Sequence, residues 1–322
     1  MAGHAPLADV MVIDRSLQLN NLCAGPWSII PLLTTQHYYD DNPPATLPGA
    51  HRRDGTMISP LMLRGLWAYR GFVLGSVKRE FQSKYANAIL GAVWSVLSPL
   101  AMILVYTVIF SEVMRTKLPG ADSGFAYSIY LCAGILTWGL FAEIVARGQN
   151  MFIEQANLIK KISFPRICLP LIVVLNALVN FGIIFGLFLV FLIATGNFPG
   201  LMFWSLLPVL LVQVLLAIGL AMIAGVLNVF FRDVGQFVTI AMQFWFWLTP
   251  IVYPATILPP EVRALMAFNP MAPLIGAYQA VLVHGAAPDW AAIWPVALLA
   301  LLLCVFGMRL FRKRAGEMVD EL

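Results

Sequence analysis

Charge is scarce in this sequence: Asp, Glu, Lys and Arg make up 11% of its 322 residues, less than half of the roughly 25% found in soluble domains. With 60% hydrophobic residues, a water-exposed surface of ordinary composition cannot be assembled, which excludes a soluble globular protein and points to one embedded in lipid. The net charge of +4 does not argue for nucleic acid, because the cations fall in short clusters between apolar runs and form no continuous basic face. Cysteine and histidine are equally sparse, four of each. Cys23, Cys132, Cys168 and Cys304 lack paired spacing, and His4, His37, His51 and His284 are dispersed, so no disulfide framework or metal site is expected. No G-x-x-x-x-G-K-[ST] loop occurs, which excludes nucleotide hydrolysis of that kind by this chain. Asp9, Asp14 and Arg15 interrupt the first apolar patch, unlike the basic region and unbroken apolar core of a cleaved signal, so insertion is expected to rely on internal spans.

What is present is a series of long apolar runs: residues 90–111, 125–146, 167–194, 201–231, 234–253 and 291–309. Each is long enough to cross a hydrocarbon core about 30 Å thick, and together they predict an all-α integral membrane protein with six transmembrane helices. A seventh stretch, 271–283, is shorter and carries Pro273. With Leu258-Pro259-Pro260 and Asn269-Pro270 before it, residues 254–288 read as a broken, re-entrant external hairpin ahead of the last span. Before the first span, Leu66, Tyr69, Val73, Val77, Phe81 and Tyr85 recur at helical spacing while Lys78, Arg79 and Lys84 fall off that stripe. That pattern predicts an amphipathic helix lying in the membrane interface. Residues 1–58, with Asn42-Pro43-Pro44 and His51-Arg52-Arg53-Asp54, contain no run of spanning length and read as a weakly ordered cytoplasmic extension. With the N-terminus inside, only Arg115, Lys117 and Arg263 lie outside and the other 17 of the 20 Lys and Arg lie inside. The positive-inside rule therefore places both termini in the cytoplasm.

Ionisable residues are nearly missing from the spans, so the intramembrane carboxylate or histidine of an ion-coupled carrier is absent and energy is expected from a partner. The exception, Glu143, precedes Arg147 in the favourable i, i+4 order and reads first as a local helix-end ion pair. Between Arg147 and Arg166, the segment Glu154-Gln155-Ala156-Asn157-Leu158-Ile159-Lys160-Lys161 predicts a short amphipathic helix stopped by Phe164-Pro165. Such a helix either docks into another protein or only anchors the loop at the interface. The run Phe244-Trp245-Phe246-Trp247, then Thr249-Pro250 and Tyr253-Pro254, either anchors the fifth span at the interface or offers ring faces to a passing sugar chain. Four successive rings occupy every face of a helix, so some point inward. Gly182 and Gly186 form a G-x-x-x-G pair, with Asn176 and Asn180 one turn apart on a common face, as close helix packing would use, either within one chain or across a dimer.

Taken in order, several motifs resemble the permease subunits of type-2 ABC exporters that carry O-antigen, capsule or teichoic-acid polymers. They are Arg79-Glu80-Phe81-Gln82-Ser83-Lys84-Tyr85 leading into Leu90-Gly91-Ala92-Val93-Trp94 and Ser98-Pro99-Leu100, then Ile162-Ser163-Phe164-Pro165-Arg166 with Leu169-Pro170. Phe231-Arg232-Asp233-Val234, Phe246-Trp247-Leu248-Thr249-Pro250-Ile251-Val252-Tyr253-Pro254 and Asn269-Pro270-Met271 follow. The resemblance implies that residues 59–322 are a type-2 ABC transmembrane domain of a multi-pass bacterial inner-membrane protein, without catalytic residues of its own. The amphipathic helix would be a gate near a lipid-pyrophosphate entrance, with Arg79, Lys84 and Tyr85 on the substrate path. Asn157, Leu158, Lys160, Lys161, Phe164, Pro165 and Arg166 would form the coupling contact with a separate ATPase subunit, which would hold ATP and Mg, and Arg232 and Asp233 a second contact. Trp245, Phe246, Trp247 and Tyr253 would be candidates for lining the polymer path. The implied assembly is two copies of this chain with two ATPase subunits, in membrane lipid, acting on a lipid-linked polysaccharide and not on nucleic acid. Ala86 and Asn87 stand where the family commonly has a basic pair, and the N-terminal stretch is longer than the family's. The alternatives are an ABC exporter of a lipid or drug and a membrane-embedded cell-envelope enzyme. The enzyme would require paired acidic residues at the membrane surface, and Asp233 has no such neighbour in sequence.

Overall fold

A computed structural model describes residues 69–85, 93–109, 125–161 and 168–322. The extension expected at 1–58, the cations Arg115 and Lys117, and Phe164, Pro165 and Arg166 lie outside the described residues, as do the side chains of Lys84, Tyr85, Leu158 and Lys161.

Among the described residues every regular element is helical. Helices α1 (Arg70–Tyr85) and α2 (Trp94–Thr107) precede α3 (Ala126–Glu154), and after a break at Gln155 comes the six-residue α4 (Ala156–Lys161). Helix α5 (Cys168–Ala194) leads to a 3-10 turn at Gly200–Ser205 that runs into α6 (Leu206–Phe230). Then follow α7 (Asp233–Trp247), α8 (Pro260–Met266), α9 (Met271–His284), α10 (Trp290–Arg314) and α11 (Glu317–Glu321).

Four stretches have the length and apolarity to cross a membrane: α3, α5, Gly200–Phe230 and α10. At 1.5 Å per residue they reach roughly 38–46 Å, more than a hydrocarbon core needs. Helices α8 and α9, within 254–288, make a broken pair bent by 100°. Pro260 starts α8, where its missing N–H costs nothing. Gly285 ends α9 at φ 61° with Ala286 N–H returning to the Ala280 carbonyl, a left-handed cap that favours glycine.

The span expected at 234–253 is not one helix. Helix α7 stops at Trp247 after 15 residues, roughly 22 Å, because Pro250 and Pro254 cannot donate to a helical ladder. Of the six apolar runs, four are thus long helices and the fifth is a shorter helix followed by a turn, since an apolar run specifies burial in lipid without specifying where the helix ends.

The bundle is organised around α6, which packs between α3 and α10. Glycine makes the approach possible. A Cβ on Gly225 would lie 2.6 Å from the Gly148 carbonyl, one on Gly148 would overlap the Ala221 side chain, and one on Gly219 would lie 2.9 Å from both Leu303 Cβ and Cys304 N. By contrast nothing lies within 4 Å of a Cβ on Gly182 or Gly186. Within the chain, the close packing read from the G-x-x-x-G pair of α5 is instead made by Gly148, Gly219 and Gly225. Helix α10 turns Trp294, Leu298, Leu302 and Phe306 outward, an apolar exterior that lipid solvates. A second apolar cluster gathers Met151, Phe152, Ile159, Phe311 and Met318, with Phe152 and Phe311 stacked at 5.2 Å. Through Ile159, 5% exposed, it anchors α4 beside α11.

Candidate functional site

The polar residues collect at two ends of the bundle. At the first, Arg147 of α3 lies between two carboxylates. Its Nε is 3.0 Å from Glu143, and its Nη1 pairs with Glu80 of α1. The second oxygen of Glu80 accepts from Asn176 Nδ2, and the second oxygen of Glu143 accepts from Asn180 Nδ2 at 2.8 Å. Asn176 and Asn180, one turn apart on α5, thus serve side-chain hydrogen bonds. The local pair expected of Glu143 and Arg147 is present but belongs to a network over three helices. Its further member, Glu80, comes from α1, 67 positions before Arg147. Arg79 turns elsewhere: its Nη2 donates to Ser76 at 3.1 Å and its guanidinium lies 5.9 Å from the Phe72 ring.

Helix α4 leaves Asn157 and Lys160 exposed while Ile159 is buried beneath them, so among its described side chains Ile159 anchors the helix and the polar ones face outward. Arg232 and Asp233, also exposed, occupy the break between α6 and α7. That break is built by Asn228, 3% exposed. Its Nδ2 donates to the Gln149 carbonyl (2.9 Å) and Asn150 Oδ1 (3.1 Å), and its Oδ1 accepts from Gly235 N–H (2.9 Å). Gln149 Nε2 donates to Thr239 at 3.2 Å. The side-chain amide therefore ties the last turns of α3, just ahead of α4, to the start of α7. Replacing Asn228 with alanine strands buried backbone groups at about 1–3 kcal/mol each. The expected result is a permease that still inserts but is less stable in detergent and faster to lose amide protection around residues 232–235, read by hydrogen exchange.

At the other end, the aromatic run divides by direction. Phe244 and Trp247 are 68% and 61% exposed, whereas Trp245 and Phe246 face the bundle and contact Trp138 with ring centroids 6.0 and 5.8 Å apart. Trp245 also meets Phe141 at 5.3 Å, and its Nε1 donates to Asn269 Oδ1 at 2.8 Å. Asn269 is a hub: its Nδ2 donates to Thr249 Oγ1 at 2.9 Å, and its Oδ1 also accepts from Met271 N–H at 3.0 Å. It fastens the end of α7 to the start of α9. Thr249 in turn folds back on the Trp245 carbonyl at 2.7 Å.

The irregular stretch that follows has carbonyls no helix satisfies, and side chains supply the donors. Tyr127 donates to Val252 O at 2.7 Å, and Tyr130 Oη lies 3.2 and 3.1 Å from Pro250 O and Tyr253 O, sharing one proton between them. Gln279 Nε2 reaches Pro250 O at 3.3 Å, and Tyr253 returns its hydroxyl to Trp247 O at 2.8 Å. Non-helical backbone in a membrane protein survives only where protein groups pair it in this way. Sequence reasoning missed Trp138, Asn228 and Asn269 as organisers. Each reads as an ordinary residue of its segment until its distant partner is known. Among the described residues no group of three or more His, Cys, Asp or Glu is placed to hold a metal ion.

Residues 73–283 match the family described as ABC-2 type transporter. The O-antigen export system permease protein RfbA of Myxococcus xanthus is 32% identical over 266 residues, covering 81% of this chain and 99% of that protein. A Klebsiella pneumoniae protein of the same name is 30% identical over 236 residues, 73% of this chain and 88% of its own length. More distantly, the polysialic acid transport protein KpsM of Escherichia coli is 19% identical over 244 residues, 76% of this chain and 93% of that one.

Proposed function

The chain belongs to the ABC-2 type transporter family, and we propose that it is the transmembrane permease subunit of an ATP-driven exporter moving a lipid-linked polysaccharide, of O-antigen or capsule type, across the bacterial inner membrane. The observation that carries this reading is similarity to O-antigen export permeases over nearly their full length, joined to helices long and apolar enough to span. In this reading residues 59–322 are the transmembrane domain and cross the bilayer six times, with α7 as a short span and both termini cytoplasmic. The chain performs no chemistry itself and takes no cofactor. It works with a separate ATPase subunit that carries ATP and Mg, and with a second copy of itself.

The exposed face of α4 suits a docking contact, because Asn157 and Lys160 point away from the apolar anchor that fixes the helix. Leu158, Lys161, Phe164, Pro165 and Arg166 complete that contact, and Arg232 and Asp233 add a second at the α6–α7 break. Helix α1 gates the cytoplasmic entrance, with Arg79, Lys84 and Tyr85 beside the substrate. On the far side the hairpin of α8 and α9 caps the exit. Trp247 and Tyr253 border the path there, while Trp245 and Phe246 support its wall from behind.

The test is co-purification of the tagged chain in mild detergent. A nucleotide-hydrolysing subunit should be recovered in equal amount; a chain that purifies alone and without ATPase activity would remove the reading. In the reconstituted complex, reversing both charges with Lys160→Glu and Lys161→Glu should lower ATP-driven export between about 5- and 150-fold, the range of typical coupling energies. Insertion and folding should be unchanged, and export at the original rate would remove the docking role of α4.

A further inference from the structure

Three helices converge on the Glu80 carboxylate. Its oxygens accept from Arg147 Nη1 on α3 and from Asn176 Nδ2 on α5, so two donors from two spans hold one anionic group supplied by a third helix. Arg147 has a support of its own. Glu143 holds Arg147 from behind at Nε, 3.0 Å away, and its other oxygen takes the amide of Asn180 at 2.8 Å, which locks α3 to α5 without any contribution from α1. Arg147 is therefore fixed without Glu80, and Asn176 is brought beside it by α5 to complete a cradle. The cradle also has an open side: Asn176 is 9% exposed, while the side chains of Glu80 and Arg147 are 44% and 35% exposed. A guanidinium N–H beside an amide N–H fits any group that presents two oxygens, and phosphate does so as well as carboxylate.

We propose that Glu80 is a displaceable occupant of an anion cradle formed by Arg147 and Asn176, and that the diphosphate group of the lipid-linked substrate takes its place. The proposal rests on the export reading for the identity of the anion. With Glu80 seated, three carboxylates, Glu80, Glu143 and Glu154, act on the single cation Arg147 and repel an incoming phosphate. Once α1 withdraws, one of those three negative charges leaves Arg147 and the converging donors are uncovered. Loading the substrate and releasing α1 are then one exchange. Because Arg147 lies two turns ahead of the break that begins α4, the exchange takes place on the helix that leads to the ATPase contact. Any ligand that binds only the released form shifts the position of α1 by its differential affinity for that form.

The experiment measures binding of farnesyl diphosphate to the full chain in nanodiscs of pure phosphatidylcholine. Glu80→Gln keeps the size of the guest but removes its charge, and should tighten binding by about tenfold, the scale of one charge-assisted contact. The gain should vanish when Asn176→Ala or Arg147→Gln is added. Asn176→Ala guards against an Arg147 variant that fails to fold, since it leaves the Arg147–Glu143 pair intact. Farnesol, with the same tail and no phosphate, should show no gain, and inorganic pyrophosphate should share it. Equal affinity in the original and Glu80→Gln chains would overturn the proposal, as would a gain that survives Asn176→Ala. A gain seen only with phosphatidylglycerol added to the disc, and not with either diphosphate, would assign the cradle to bilayer lipid and overturn the substrate assignment. A diphosphate gain on a chain that recruits no ATPase would leave the cradle standing and remove the exporter reading.

Discussion

Gly225→Ala should lower the stability of the detergent-solubilised chain by about 3 kcal/mol or more, and Gly225→Leu should abolish its recovery from the membrane. The added Cβ would lie 2.6 Å from the Gly148 carbonyl and 3.3 Å from the Phe152 ring. The carbonyl is backbone of α3 and cannot turn aside, and the ring is buried and stacked on Phe311. Relief requires α3 and α6 to separate, which would also open the Asn228 contacts to the Gln149 carbonyl and Asn150. Thermal inactivation followed by size-exclusion chromatography reads the loss. Gly182→Ala is the matched control: its Cβ meets nothing within 4 Å, and alanine is the better helix former by roughly 1 kcal/mol. An equal loss from both substitutions would mean that glycine's role here is not the α3–α6 approach.

Trp245→Ala should cost roughly 3–5 kcal/mol, the usual range for deleting a large aromatic side chain from a core, whereas Trp247→Ala should leave stability nearly unchanged. The indole of Trp245 contacts Trp138 and Phe141 and donates to Asn269. Its removal opens a cavity in the aromatic cluster and leaves the Asn269 hub with one partner fewer. Trp247 is 61% exposed and meets Phe246 edge to face at 5.3 Å, so its deletion removes contact area from one side only. If the wall and path assignments hold, Trp245→Ala lowers the amount of folded complex, and Trp247→Ala lowers export per complex at normal abundance. A common pattern for both variants, whether loss of protein or loss of transport, would dissolve the distinction. Asn269→Ala should follow Trp245→Ala in kind and fall below it in size, because it breaks hydrogen bonds at about 1 kcal/mol each without opening a comparable cavity.

Lipid embedding, the positions of four long spans, the break in the hairpin and the short helix after α3 could all be read from residue order. Hydropathy, proline placement and helical spacing are local properties, set by each residue and its near neighbours. The same local pattern overextended the fifth span, because an apolar run does not distinguish helix from apolar residues in a turn. Nor does the pattern of Gly182 and Gly186 carry an address for its partner: within the chain a Cβ on either meets nothing within 4 Å.

The polar network required encounters that residue order does not encode. Glu80 meets Arg147 across 67 positions and Asn176 across 96, and Asn228 meets Gln149 across 79. Trp245 and Asn269 are nearer, at 24, yet a prolyl turn and a helix separate them. By itself the sequence determined that the chain lives in a membrane and which stretches are helical, since burying twenty apolar side chains in lipid is decided one segment at a time. Only the tertiary structure decided which side of α7 is wall and which is surface, which glycines let helices touch, and that Glu80 rests in a cradle built by two other helices. Those outcomes depend on the relative rotation of packed helices, a quantity settled by all their contacts together.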